Sequence, residues 1–331
     1  MRHMTLALTG DVMLGRLVDE SIIRNPTLPP ETVWGDMRPR LLEADLRLIN
    51  LECVISDRGR EWKPDSKAFH FRSDPRAIEV LRAAKIDGVT LANNHALDYG
   101  AEALRDCLER LDAAGIQHTG AGATLAQALE PMYLATSSGT VAVIGLTDNE
   151  PEWEATDRTA GVHVIRYGIN GLVEPYRERL SRLIRSARQR AQLVVVGAHV
   201  GPNWGSPSRA MQALARDLID LGADLYWGHS NHTPQGIELY RGRAILYSTG
   251  DFVDDYAVDP AERNDLTFLF VTELEQGRVA QIRLVPVAID EFRVRLAKGA
   301  ERTFLERTME RKCAALGTAV RWRQGEGTIL V

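Results

Sequence analysis

Five short segments, far apart in the chain, end in residue types that bind metal ions or move protons. They are Thr9-Gly10-Asp11, Asn50-Leu51-Glu52, Asn93-Asn94-His95 with Asp98, Gly197-Ala198-His199, and Gly228-His229-Ser230-Asn231-His232. Each segment lies at or just after an apolar, strand-like run. Because α/β folds assemble their sites at strand ends, we expect these segments to form one cluster of carboxylates, amides and imidazoles. Such a cluster can hold a divalent metal or perform acid/base chemistry.

The segment around His95 gives the most specific local signal. His95 and Asp98 are three residues apart, so one helical turn would bring them to the same side. An aspartate beside a histidine fixes the tautomer of the ring and raises its basicity. The alternative is a polar turn in which Asp98 caps the helix that follows. We expect His95 and Asp98 to act as a catalytic pair.

The other strand ends supply further acid/base candidates. Asp11 can ligate a metal, take a proton or cap the next element. His199 ends a strongly apolar strand and therefore needs a partner, because unpaired buried polar groups are costly. Gly228 is expected to turn the backbone sharply and so expose His229 and His232.

Together these patterns define the predicted site. The predicted catalytic residues are Asp11, Glu52, His95, Asp98, His199, His229 and His232. The predicted substrate-binding residues are Asn50, Arg72, Asn94, Trp204 and Gln235. No metal is favoured; if one is present (Mn, Fe or Zn), its predicted ligands are Asp11, Glu52, Asn94, His199, His229 and His232.

The elements that must position these residues alternate along the chain. Apolar runs predict strands at 4–9, 46–50, 88–92, 116–119, 140–147, 193–199, 223–227, 236–240, 243–248, 266–273 and 279–289. Amphipathic runs predict helices at 34–43, 74–85, 100–114, 122–130, 170–191 and 208–221. Alternating strands and helices give way to consecutive strands from about 223 onward. This order predicts an α/β fold with two sheets packed together and helices outside them.

Composition narrows the class of protein. The 331 residues carry 40 basic and 45 acidic side chains, a near balance that argues against a general nucleic-acid binder. The three cysteines have no metal-ligand spacing, so reduced thiols are expected. The chain has no signal-peptide pattern and no run near the ~20 apolar residues that span a bilayer. We therefore expect a cytoplasmic protein without a membrane anchor, of undefined oligomeric state.

The five motifs in order resemble the CapA family of poly-γ-glutamate capsule-synthesis proteins, which is similar to calcineurin-like metallophosphoesterases. The resemblance covers roughly residues 4–255. It implies a four-layer αββα sandwich of two mixed sheets flanked by helices, with the site at the strand ends. We expect one domain over 1–331, in which strands and a helix of residues 256–331 complete the second sheet.

Departures from the metallophosphoesterase motifs bear on metal binding. Their Asp-x-His motif reads Asp11-Val12-Met13 here, and a thioether is a poor ligand for hard cations. Their Gly-Asp motif is replaced by Asn50-Leu51-Glu52, and their final Gly-His-x-His is one residue longer. These differences argue against a two-metal phosphoesterase site and leave one metal or none.

Four functions are considered from the residues and the resemblance. The favoured one is cofactor-independent L-to-D epimerisation at an α-carbon of a peptide or poly-amino-acid substrate, as in the soluble CapA-like branch that looks like lasso-peptide tailoring enzymes. It needs a base on one face and an acid on the other. The alternatives are metal-dependent phosphoester or amide hydrolysis, or a poly-γ-glutamate capsule synthesis role. A binding module that retains a phosphoesterase-like cleft is the non-enzymatic alternative.

Overall fold

The fold is built on two mixed β-sheets that face each other. A computed structural model describes residues 3–62 and 67–331. The first sheet has ten strands. Eight run in the order Arg321–Arg323, Glu326–Leu330, Arg278–Asp290, Leu266–Glu275, His3–Val12, Leu46–Leu51, Gly88–Thr90 and Gln117–Thr119, with Asp251–Val253 beside His3–Val12 and Arg293–Leu296 beside Arg278–Asp290. The predicted α/β class with mixed sheets is confirmed.

The second sheet has six strands. Their order is Ile237–Tyr240, Arg243–Leu246, Leu225–His229, Leu193–His199, Gly139–Thr147 and Met132–Thr136. The placement predicted for residues 256–331 is wrong, because their strands join the first sheet, not the second. Leu266–Glu275 pairs antiparallel with His3–Val12, so the two ends of the chain meet in one sheet.

Helices cover the outer faces of both sheets, except for Gly299–Ala314, which packs between them. The α-helical segments are Arg16–Val18, Met37–Leu42, Ala77–Ala83, Gly100–Ala114, Leu125–Leu129, Tyr176–Arg190, Arg209–Asp220 and Gly299–Ala314. The chain also contains a π-helical turn at Asp19–Ile23 and 3₁₀ turns at Pro30–Trp34 and Pro151–Trp153. Three pairs of short strands lie in the loops: Val54–Ile55 with Arg72–Ser73, Ala121–Gly122 with Gly161–Val162, and Tyr167–Gly168 with Gly171–Leu172. Within the described ranges, no helix is both long and apolar enough to cross a membrane.

Alternating side chains within each strand separate the layers of the core. In the strand Leu193–His199, Val195 packs between the sheets, while Val194 and Val196 pack against Tyr176–Arg190 and Arg209–Asp220. This period of two is the geometry of a strand buried on both faces. The layer order is therefore helix, sheet, sheet, helix, as the resemblance implied.

The helix expected within residues 256–331 is Gly299–Ala314, and it packs into the core between the two sheets through Leu305, Met309 and Cys313. Its apolar positions are spaced four apart but flanked by many charges, so the periodic signal is weak. A direct link also joins the sheets, since Nε1 of Trp227 donates a 2.9 Å hydrogen bond to the carbonyl of Thr9. This bond joins the strands that carry Asp11 and His229.

Candidate active site

Strand register brings the predicted motifs together at one edge of the sandwich. Asp11 and Asn50 are paired residues on adjacent parallel strands of the first sheet. His199 and His229 are paired in the same way in the second sheet. Because parallel strands end at the same edge, each sheet presents two functional side chains there, and the packing of the sheets brings the pairs face to face.

Asp11, His199 and His229 form a buried group whose ligand atoms all lie within 4.8 Å of one another. The amide of Asn50 donates a 2.7 Å hydrogen bond to Oδ1 of Asp11 and lies 3.2 Å from Nδ1 of His199. Burial opposes charge on Asp11, but the neighbouring His199 and His229 rings hold its pKa at about 2. The group is therefore one carboxylate and two imidazoles held by a buried amide.

His229 is the least satisfied side chain of this group. It is 1% exposed, and neither ring nitrogen has a hydrogen-bond partner among residues 3–62 and 67–331. Burial lowers its pKa to about 3, so the ring is neutral at pH 7. A buried polar group without a partner is costly. A divalent cation would satisfy it, and one carboxylate with two imidazoles is a donor set that suits Zn, Mn or Fe.

His95 and Asp98 form the predicted dyad. Nδ1 of His95 lies 2.6 Å from Oδ2 of Asp98, and Nε2 lies 3.1 Å from the amide nitrogen of Asn94. With Nδ1 donating to the aspartate, Nε2 carries the lone pair of the ring and accepts a hydrogen bond from the Asn94 amide. Burial raises the pKa of Asp98 to about 7, although Lys67, 3.3 Å away, favours the carboxylate. The ring of Phe71 stacks on that of His95, with 3.8 Å between ring centres.

Glu52 lies between the metal-ligand group and the dyad. Oε1 is 3.7 Å from Nε2 of His199 and 4.0 Å from Nε2 of His95. Tyr256 donates a 3.1 Å hydrogen bond to Oε2. Burial, and then the charge of Asp11, raise the pKa of Glu52 well above its ordinary value. A carboxyl group in this environment can hold a proton at neutral pH and act as a general acid.

His232 pairs with an acid from residues 248–252, just after an apolar strand. Its Nδ1 lies 2.9 Å from Oδ1 of Asp251. Burial opposes charge on the ring, but Asp251, followed by Glu52 and Asp11, raises the pKa of His232 to about 10. Asp11, His232 and Asp251 form a second group of possible metal ligands. In that group, however, Nδ1 of the histidine is already occupied by the aspartate.

Each of these groups contributes one residue to the wall of a cavity of about 410 Å³: His199, His95, Glu52 and His232. Its walls combine acid/base groups with cations and aromatic rings. The lining includes Arg16, Glu52, Lys67, Phe69, Phe71, Asn94, His95, Glu150, His199, Trp204, Ser230, His232 and Tyr256. Three of these residues, Arg16, Glu150 and Ser230, have positive φ angles without being glycine. Such strained conformations concentrate at functional sites.

The structure separates the predicted substrate-binding residues into two sets. Asn94 and Trp204 line the cavity. Asn50 does not, because it is fully buried beneath Asp11. Gln235 is also buried, where its amide donates to Oδ1 of Asn231 and to Thr233.

Arg72 is the third predicted substrate-binding residue that the structure places outside the cavity wall. Its guanidinium lies 4.1 Å from the centre of the Tyr99 ring and is not part of the cavity wall. Arg72 pairs with Val54 in the short strands Val54–Ile55 and Arg72–Ser73. This pairing sets the direction of its side chain, and a sequence pattern does not reveal it.

The turn predicted at Gly228 occurs two residues later in the structure. Gly228 stays within the strand Leu225–His229, and the left-handed residue is Ser230, with φ 81°. A Cβ atom at Gly228 would lie 2.2 Å from the carbonyl oxygen of Tyr247. Glycine is therefore needed here for close strand approach, and the turn that follows lets the Ser230 N–H reach Oδ2 of Asp11 at 3.3 Å.

Residues of the site that lay outside the predicted set include Arg16, Lys67, Asp251 and Tyr256. Asp251 had a usable signal, since Gly250-Asp251 follows the apolar run 244–247 just as Gly10-Asp11 follows the first strand. Asp251 pairs with Asp11 on neighbouring parallel strands. Arg16, Lys67 and Tyr256 lie in loops or at their edges, where no periodic pattern indicates direction.

Comparisons with known proteins agree with this architecture. Residues 5–256 match the family described as bacterial capsule synthesis protein PGA_cap. A probable polyglutamine synthesis accessory protein of Mycobacterium tuberculosis is 31% identical over 96% of this chain and 93% of its own length. The PGA biosynthesis protein CapA of Bacillus subtilis is 27% identical over 87% of this chain and 72% of its own.

Among solved structures, a hypothetical protein from Thermus thermophilus has the same fold. It superimposes with a TM-score of 0.50 at 17% identity, covering 86% of this chain and 98% of that one. At this sequence identity, the structural similarity shows a shared fold only.

Proposed function

The chain belongs to the bacterial capsule synthesis protein family PGA_cap, and we propose that it is a metal-dependent hydrolase that cleaves an amide bond of an anionic poly-amino acid. The observation that carries the metal is His229, which is buried and unpartnered within the described ranges beside Asp11 and His199. A divalent Zn, Mn or Fe, when bound, would polarise the reacting bond and lower the pKa of water. The names of the relatives from Mycobacterium and Bacillus support a poly-amino-acid substrate.

Each group of the site has a distinct task in this proposal. Asp11, His199 and His229 hold the metal. Nε2 of His95, on the cavity wall, exchanges its hydrogen bond from Asn94 for one with the reacting group and gives or takes a proton there, while Asp98 holds the ring in its tautomer. His232, paired with Asp251, presents its other ring nitrogen as a donor to a developing oxyanion.

Epimerisation at an α-carbon, which the sequence favoured, is the second candidate. It is supported by the position of His95 and His232, which face one cavity from different sheets. A base and an acid on two sides of a substrate are what inversion requires. The buried His229 has no task in a metal-free epimerase, and for that reason the hydrolase is the better account.

One assay separates the two reactions. A short oligomer of γ-linked glutamate is incubated in D₂O with chelator-treated protein, with the same protein reloaded with Mn, Zn or Fe, and with an Asp11→Asn variant. Mass spectrometry then reads both new chain ends and deuterium at α-carbons.

Metal-dependent cleavage that D11N loses supports the hydrolase. Deuterium uptake without cleavage overturns it in favour of epimerisation, and neither product overturns both. A phosphodiester substrate tested in parallel overturns the amide assignment if it alone is cleaved.

A further inference from the structure

Arg16 lies in the cavity wall in a backbone conformation that L side chains rarely adopt. Its φ is 52°, directly after Gly15. Gly15 is itself constrained, because a Cβ atom there would lie 3.0 Å from the carbonyl oxygen of Arg72. A strained backbone persists only where the surroundings over-determine it. Here the packing at Gly15 and the strain at Arg16 together set the direction of the Arg16 side chain.

The guanidinium of Arg16 is held on one edge and on its faces. Nε lies 3.3 Å from Oδ2 of Asp255, a carboxylate with a fully buried side chain that also accepts a 2.9 Å hydrogen bond from the Leu17 N–H. The guanidinium carbon lies 5.6 Å from the ring centres of both Phe69 and Phe71. Within residues 3–62 and 67–331, neither terminal nitrogen of Arg16 has a hydrogen-bond acceptor. The two terminal nitrogens are therefore available to a ligand.

Lys67, the other cation of the cavity wall, is already engaged. Its ammonium lies 3.3 Å from Asp98 and 3.2 Å from Glu150, and it donates to the carbonyl of Asn94. Its side chain is 7% exposed, whereas that of Arg16 is 36% exposed. Arg16 is thus the better placed of the two cations to receive an anionic group.

We propose that Arg16 is a specificity-determining residue that binds a carboxylate of the substrate through its two terminal nitrogens. The planar fork of arginine matches a carboxylate in bidentate geometry. The ring of Phe71 lies between Arg16 and His95 and contacts both. A carboxylate bound to Arg16 would therefore be separated from the bond that reacts at His95 by about the width of this ring. A carboxylate is favoured over a phosphate because Asp255 already pairs with this cation and Glu150 lines the same cavity, so a dianion would be repelled more strongly than a monoanion.

This inference rests on the proposed function for the identity of the reacting bond, but its test does not require turnover. Titration calorimetry measures binding of a γ-linked glutamate tetramer and of its α-carboxamide analogue to the full chain. All proteins carry His95→Gln so that hydrolysis does not consume the ligand. Arg16→Gln removes the charge, and Arg16→Lys keeps the charge but removes the fork. Arg72→Gln is the matched control, an arginine that also lies on an aromatic ring, outside the cavity wall.

The parent protein is expected to bind the carboxylate tetramer more tightly than the carboxamide. Both Arg16 variants should lose that preference, with binding about 10- to 100-fold weaker, while R72Q keeps it. If R16Q fails to fold because Asp255 loses its partner, R16K and the carboxamide comparison carry the test. A preference that survives R16K and R16Q overturns the proposal, as does phenyl phosphate binding that exceeds the tetramer and depends on Arg16. If the chain with His95 intact does not hydrolyse the tetramer while the carboxylate preference still depends on Arg16, the proposed reaction is overturned and this inference stands.

Discussion

Nδ1 of His95 lies 2.6 Å from Oδ2 of Asp98, beneath the ring of Phe71 that stacks on the same histidine. Asp98 also accepts a 2.6 Å hydrogen bond from the Phe71 N–H. One carboxylate therefore fixes both the tautomer of the proposed acid/base group and the ring that covers it. This arrangement ties the chemistry of His95 to the loop that contains Phe71.

Replacing Asp98 by asparagine should impair turnover more than binding. The amide can present either an acceptor or a donor to Nδ1, so the His95 ring loses its fixed tautomer. We expect kcat for the glutamate oligomer to fall about 10- to 100-fold with KM nearly unchanged. Steady-state kinetics measures both constants.

Asp106→Asn is the matched control for this change. Asp106 is also buried and hydrogen-bonded, to Ser56 and Arg110, but lies on the outer helix Gly100–Ala114. It should reduce stability without lowering kcat. Wild-type kcat in D98N would contradict the proposed role of the dyad.

Gly10→Ala should destabilise the fold and displace Asp11. A Cβ atom at Gly10 would lie 1.8 Å from the carbonyl oxygen of Gly250 on the neighbouring segment. Because that contact is with backbone, the adjoining strand Asp251–Val253 must shift. We expect the free energy of unfolding to fall by about 3 kcal/mol or more, as measured by urea denaturation.

Gly168→Ala is the matched control. A Cβ atom at Gly168 would have no other atom within 4 Å, and the φ angle of this residue is not positive. That variant should change the free energy of unfolding by less than about 0.5 kcal/mol. Equal effects at the two positions would show that close strand approach does not explain the geometry around Asp11.

His163 should make the fold sensitive to mild acid. It is fully buried, and Nδ1 lies 2.8 Å from the Gly145 carbonyl. Burial lowers its pKa to about 4 from an ordinary value of 6.5. Between those values the unfolded chain binds a proton that the folded protein excludes, so stability is lost as pH falls from 6.5 towards 4. The loss from this residue approaches about 3 kcal/mol.

Denaturation at pH 7 and pH 5 measures this loss in the parent and in His163→Gln. The variant should be less stable at pH 7 but show a smaller decrease between the two pH values. His118→Gln, at a half-buried histidine beside Asp112, controls for the loss of any histidine. An unchanged pH dependence in H163Q would refute the assignment.

Sequence reasoning located strand ends well because an apolar run followed by a polar motif is a local signal. Asp11, His199 and His229 were found in this way. The sequence did not reveal which sheet the C-terminal strands join, because the pairing of Leu266–Glu275 with His3–Val12 depends on contacts between distant parts of the chain. Arg16 was missed because its direction depends on a left-handed backbone and on packing at Gly15.

The metal content of the purified protein tests the central claim most directly. Elemental analysis of the parent should find about one Zn, Mn or Fe per chain. His229→Leu removes both ring nitrogens from the buried group and should abolish that metal, whereas His118→Gln should retain it. A parent protein without a transition metal after incubation with each ion, or an H229L variant that binds metal as the parent does, would contradict the account.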